Sequence, residues 1–296
     1  MARYPLLLAL ALAGLLSCED AITVDSGFTT PRFVVDAWLT NEAREQQITL
    51  SLTSDFYDSG LPAGVTDAEV VVCQTRISTA CFTFVHRDSG RYVWGGGAAG
   101  ATLGEVGEEL ILGIERGEER YVSRTQIYRV PPIDSISFQE EEEALGLEAG
   151  TYAQLYARDL PGVGDTYLAR TTVNDTLLQR PAEINLIYDA VFDPGTNADG
   201  ITFIFPIRFS INRVDDDGAP VPLSVGDSVA VDLWSLSPAA YRFLRVARDQ
   251  IQNGDNGIFG IPVANSPGNV FDARTQQRII GMFNVAAVSS KRRVFE

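Results

Sequence analysis

Ile48-Thr49-Leu50-Ser51-Leu52-Thr53 alternates large apolar and small hydroxyl side chains without a break. Successive side chains of a β-strand point to opposite faces, so this stretch reads as a strand with one face buried and one wet. Working outward, the same pattern returns. Phe33 to Leu39 is rich in β-branched and aromatic residues, and Leu110, Leu112 and Ile114 alternate again. Arg120 to Thr125 follows the turn-like break Arg116-Gly117-Glu118, and Val229, Val231 and Leu233 read as a returning strand. Gly, Asp and Pro punctuate these runs, as expected between strands of an antiparallel sheet. The expected fold is all-β and mainly antiparallel, with an N-terminal sandwich of the immunoglobulin or transthyretin kind and a second β-rich domain.

Ile201 to Ile211 carries large apolar residues at every odd position and predicts the longest strand, with Pro206 at an edge or a bulge because it cannot donate to a neighbour. One helix is expected near 238–252. Ser237 can cap its first turn, Pro238 suits the first helical position, and Asn253-Gly254 ends it. Tyr241, Leu244, Ala247 or Arg248, and Ile251 would form its buried face. Val130-Pro131-Pro132-Ile133 breaks the strand pattern and places a domain boundary there, giving domains 32–130 and 131–296. Gly95 to Gly104 is expected to be a flexible loop. The acidic run Glu140 to Glu143 reads as a solvated loop, with a partner or cation site as the other reading.

The first residues have a different character. Arg3 precedes the apolar run Leu6 to Leu16, which is shorter than the roughly 20 residues needed to cross a bilayer but suits a signal peptide, 1–17. Leu15-Leu16-Ser17-Cys18 resembles the lipobox of bacterial lipoproteins, so Cys18 is the expected lipidation site and 18–31 a tether. An ordinary secretory signal with an incidental cysteine is the bland alternative. Of the three cysteines, Cys73 and Cys81 flank a polar stretch centred on Ile77. Two strands and a turn would set them opposite each other, as a disulfide outside the cytoplasm or as two free thiols.

The formal charge of −16 argues against a nucleic-acid partner, since that binding depends on cations meeting phosphates. Of the 23 cationic side chains, only Lys291 is a lysine. No catalytic constellation is legible. The single histidine, His86, lies on a predicted strand without a Gly-x-Ser-x-Gly elbow and reads as structural. Zinc would have only His86, Cys73 and Cys81. For calcium, the candidates Asp193, Asn197 and Asp199, and Asp215 to Asp217, lack EF-hand spacing. No catalytic or metal residue is therefore assigned and no cofactor is expected.

The chain resembles the Bacteroidota lipoprotein family called "domain of unknown function 4249". The residues that carry this are Phe33-Val34-Val35-Asp36-Ala37-Trp38-Leu39, Ala68-Glu69-Val70-Val71-Val72 before Gly90-Arg91-Tyr92, and Leu110 to Ile114 followed by Arg120-Tyr121-Val122-Ser123. Pro132-Ile133-Asp134-Ser135-Ile136, Asp159-Leu160-Pro161 to Tyr167, the helix with Tyr241, Phe259-Gly260-Ile261-Pro262-Val263 and Ile280-Gly281-Met282-Phe283 continue it in order. The resemblance implies an all-β lipoprotein of the outer membrane or cell surface, often encoded beside TonB-dependent receptors. Glu19-Asp20 after the lipid cysteine is similar to a surface-export signal. The family has no established activity, so it transfers no functional residue. The expected function is therefore a non-enzymatic binding or accessory partner of a TonB-dependent outer-membrane receptor in nutrient uptake. The alternative is stand-alone capture of a glycan or peptide; a hydrolase ranks third.

Overall fold

The computed structural model describes residues 30–54, 60–95, 100–192, 194, 198–253 and 266–296. The signal segment 1–17, Cys18, Glu19 and Asp20 lie outside the described residues, as do Gly96, Gly97, Asp193, Asn197 and Phe259 to Val263.

Alternation organises the first half. Strands β1 (Phe33–Thr40), β2 (Gln46–Leu52), β3 (Glu69–Gln74), β4 (Cys81–Asp88), β5 (Arg91–Trp94), β6 (Glu109–Arg116) and β7 (Glu119–Gln126) share one sheet with β14 (Val270–Asp272) and β15 (Ile280–Ala286). The order is β14-β7-β6-β3-β4-β5-β2-β1-β15. Every pair is antiparallel except β1 and β15, which run parallel with Val35 beside Gly281. Ile48 and Leu50 are fully buried, while Thr49 and Ser51 on the opposite face are not. Each such side chain withdrawn from water contributes roughly 1.5–3 kcal/mol.

The sheet turns back on itself around this core. Phe33 of β1 stacks on Tyr121 of β7 with ring centroids 4.5 Å apart, so strands distant in the sheet order face each other. Its two edges also meet. The Asn269 amide donates to the Phe283 carbonyl and accepts from the Phe283 N–H, both at 2.8 Å, and the Ile279 N–H donates to the Val270 carbonyl at 2.9 Å. Joined edges leave no long row of unpaired backbone open to another chain. Gly281 lets β15 lie close against β1: at φ 131° it adopts a backbone that other residues avoid, and a Cβ there would lie 2.1 Å from the Val35 carbonyl oxygen.

The second half builds its own core. Strands β10 (Thr166–Val173), β11 (Thr176–Leu177), β13 (Ser228–Ser235) and β16 (Val288–Val294) form a sheet in the order β11-β10-β13-β16, with β12 (Asn185–Tyr188) also on β10. The hairpin of β8 (Ile133–Glu141) and β9 (Gly150–Ala157) packs into the same core. Val130 touches both cores, at the position where the chain passes between them. The chain does not remain in the second half after residue 131, because β14 and β15 return to the first sheet. The all-β, mainly antiparallel class stands, with two helices described.

Two local readings need correction. Ile201 to Ile211 is not a strand: its middle forms a short helix α1 (Phe205–Phe209) with Pro206 in the first turn. Phe203, Ile207 and Ile211 are buried, whereas Ile201 and Phe205 are exposed. Only Ile207 of the three lies within the helix; Phe203 and Ile211 flank it and reach the same core, so the alternation arises without a strand. Helix α2 (Pro238–Asn253) forms where expected, with the Ser237 hydroxyl accepting from the Ala240 N–H at 3.2 Å. Its first turn packs Ala240 and Tyr241 on Leu186, Leu236 and Met282. Ile251, expected on the same buried face, is 59% exposed.

Candidate functional site

Cys73 and Cys81 face each other on β3 and β4 and are joined by a disulfide, with Cα atoms 4.1 Å apart. The loop they close is also held from inside. The buried Glu108 carboxylate accepts backbone N–H donors from Thr75, Arg76, Ile77 and Ser78 at 2.8–3.2 Å and from Glu109 at 3.1 Å. Burial alone would raise its pKa; the converging backbone donors outweigh that and hold it below the ordinary value of 4.5. This carboxylate is structurally satisfied. The disulfide also removes both thiols from the His86, Cys73 and Cys81 zinc set. His86 lies on β4 with its ring 5.2 Å from Tyr92, and its buried Nε2 has no partner among the described residues.

A second group of acids lies in the second half. Asp159, Asp165 and Asp189 are all buried, with carboxylate oxygens within 4.8 Å of one another. Tyr167 donates to Asp159 at 2.7 Å, Arg129 grips Asp165 at 3.0 and 2.6 Å, and the Gly164 and Asp165 N–H groups reach Asp189 at 2.8 and 2.9 Å. Three carboxylates thus face one guanidinium. Burial raises the Asp159 pKa, and the Asp189 and Asp165 charges add to it; the Tyr167 phenol is also pushed up, first by burial. One oxygen from each acid could meet a single hard cation. The expected calcium loops are occupied differently: Asp215 accepts from Asp217 and Ala219 N–H groups within its own turn, and Asp199 accepts from the Gly162 N–H.

The two sheets meet at a recess of about 270 Å³ that sequence reasoning did not identify. The outer face of the first sheet supplies Asp36 and Trp38 from β1 and Gln47 and Thr49 from β2. The turn between those strands adds Arg44, and the second sheet adds Arg170 of β10 and Trp234 of β13. The Arg170 guanidinium lies over the Trp234 ring, 4.4 Å from its centroid, and Arg44 reaches the same ring at 5.9 Å. A cation held over an aromatic ring in this way is kept in place without consuming its N–H donors.

Most charges around the recess are already paired. Arg44 meets Glu42 at 3.2 Å, and Arg87 binds Glu45 through two bonds of 2.9 and 2.7 Å. Arg170 and Asp36 differ: among the described residues, neither has a hydrogen-bond or ion-pair partner. Burial lowers the Arg170 pKa, with Asp232 across the strand pair opposing and Arg44 reinforcing the shift. Asp232 is itself bonded to the Ser290 hydroxyl at 2.6 Å. Asp36 is open to solvent yet surrounded by protein, and that desolvation raises its carboxyl above the ordinary value of 3.8. Trp234 is 4% exposed, and its buried indole N–H has no acceptor among the described residues.

Cys18, the expected lipid site, lies outside the described residues. Among the described residues no helix is long and apolar enough to cross a membrane. No curated protein matches the chain. A family model does, spanning residues 19–292 and therefore both cores and the recess, and the chain belongs to the family described as domain of unknown function DUF4249.

Proposed function

We propose that this protein is a lipid-anchored, non-enzymatic binding protein of a Bacteroidota-type outer membrane. In this reading it is tethered through Cys18 and acts as an accessory partner of a TonB-dependent receptor in nutrient uptake. The observation that carries the proposal is the Leu15-Leu16-Ser17-Cys18 lipobox followed by a short acidic tether and then a β-rich body. A tether confines the body near the membrane, so even a weak interface is occupied through effective concentration. A specific interface would bury on the order of 1,200–2,000 Å². The test is a pull-down from detergent-solubilised outer membrane, combined with mass spectrometry of the amino terminus. Recovery of a receptor with an acylated Cys18 is expected. Recovery of the protein alone, with Cys18 unmodified, overturns the reading.

A second reading, direct ligand capture without a receptor, is favoured by the recess. Its unpaired Arg170 and Asp36 side chains beside two tryptophans support that reading.

A further inference from the structure

We infer that the recess between the two sheets binds a sugar acid, a hexuronate whose carboxylate is gripped by Arg170 and whose hydroxyl groups are read by Asp36 and Gln47. This rests on the capture reading above and does not require a receptor.

The recess leaves charged groups without protein partners among the described residues. Arg170 carries five N–H donors in a planar fork. None of them is given to a protein acceptor among the described residues, although the stack on Trp234 holds the group in place. A guanidinium fork held over the ring can match a carboxylate bidentately. Arg44, at the edge of the same ring, adds positive potential on the same side. An oxyanion is therefore the group that this wall selects.

Asp36 excludes a simple inorganic anion as a good fit. Its carboxylate lines the same recess and has no protein donor among the described residues, so an anion with no donors of its own would meet only like charge there. A ligand must bring donors to it while bringing a carboxylate to Arg170. Hydroxyl groups do this without adding a cation near Arg44 and Arg170; an ammonium group would be repelled by both. Gln47, whose amide nitrogen donates to the Thr49 hydroxyl at 3.3 Å, presents its carbonyl oxygen on the same wall, and Trp38 offers aromatic surface of the kind that packs against the C–H face of a pyranose. Size agrees. At about 270 Å³, the recess falls just below the roughly 300–1,000 Å³ of drug-sized pockets, so it takes one sugar unit.

The protein carries its own probe. Of three tryptophans, Trp38 and Trp234 line the recess, while Trp94 packs on Phe82 elsewhere in the first sheet. The full chain carrying Trp94→Phe is titrated with D-galacturonate and D-glucuronate while tryptophan emission is followed. Calorimetry on the unsubstituted chain gives the same answer should that variant fold poorly. A saturable response to at least one uronate is expected, with D-glucose binding at least about tenfold more weakly because Arg170 then lacks its anion. Arg170→Met should abolish the response, and Asp36→Asn should weaken it. A flat trace with both uronates, an equal response to glucose, stronger binding of L-glutamate, or an Arg170→Met chain that still responds would each overturn the inference. Receptor recovery in the pull-down is read without any sugar, so either proposal can fail alone.

Discussion

Glu108 and Arg170 are both charged side chains enclosed by protein, and they are treated in opposite ways. Glu108 lies under the Cys73–Cys81 loop, where five residues direct backbone N–H groups at it. Arg170 lies between the sheets, held by the face of Trp234, with no acceptor among the described residues. A buried charge that the fold itself satisfies is part of the scaffold, and its loss strands its partners. A partly buried charge left unmet costs stability and persists where something else is to meet it.

The largest effect expected from this contrast is at Glu108. Glu108→Gln removes the charge and leaves several enclosed N–H groups poorly matched, so unfolding in urea should show a loss of about 2–4 kcal/mol. A loss under about 0.5 kcal/mol would mean that the loop does not depend on the carboxylate. Because the Glu108 pKa is lowered on folding, its contribution is present above 4.5 and declines as pH falls below that value. The Gln variant should lack this acid-side decline.

The disulfide holds the same loop from the outside. Replacing Cys73 and Cys81 together by serine should cost ~2–3 kcal/mol, because a short closed loop removes little entropy from the unfolded chain. A double-mutant cycle with Glu108→Gln sharpens the comparison. Two restraints on one loop should be non-additive, with a coupling of at least about 0.5 kcal/mol. Simple additivity would show that each acts on a separate region.

Asp159 gives a smaller effect of opposite pH sign. Its pKa is raised on folding, first by burial, so the folded state holds a proton that the unfolded state releases. Its contribution is therefore most favourable at low pH and is lost as pH rises from 3.8 through the folded value. Asp159→Asn keeps an acceptor for Tyr167 and should leave stability at neutral pH unchanged or raise it by about 1 kcal/mol. A loss greater than about 2 kcal/mol, seen as an earlier urea midpoint, would show that the charge itself is required there.

The first sheet was the more legible half because only one of its faces is buried. Ile48 and Leu50, and Leu110, Leu112 and Ile114, repeat at period two for that reason, and the cysteine pair followed from the symmetry of its loop about Ile77. The return of β14 and β15 was hidden, since a parallel partner from the far end of the chain leaves no local mark on β1. Ile201 to Ile211 alternates without being a strand, because Phe203, Ile207 and Ile211 reach one core from a short helix and its two flanks. Glu108 sits in Glu105-Val106-Gly107-Glu108-Glu109, which reads as a surface turn; its partners are around Ile77, some thirty positions away. Nor could the recess be read locally, because Asp36, Arg170 and Trp234 meet only when the two sheets dock.

The most direct test of the contrast is urea unfolding of Arg170→Met beside the unsubstituted protein, with uronate titration of the same two samples. Stability within about 0.5 kcal/mol of the parent, or slightly above it, is expected, because methionine keeps contact with Trp234 while removing an unmet charge; the uronate response should be lost. A destabilisation comparable to that of Glu108→Gln would contradict it, and would make Arg170 part of the scaffold.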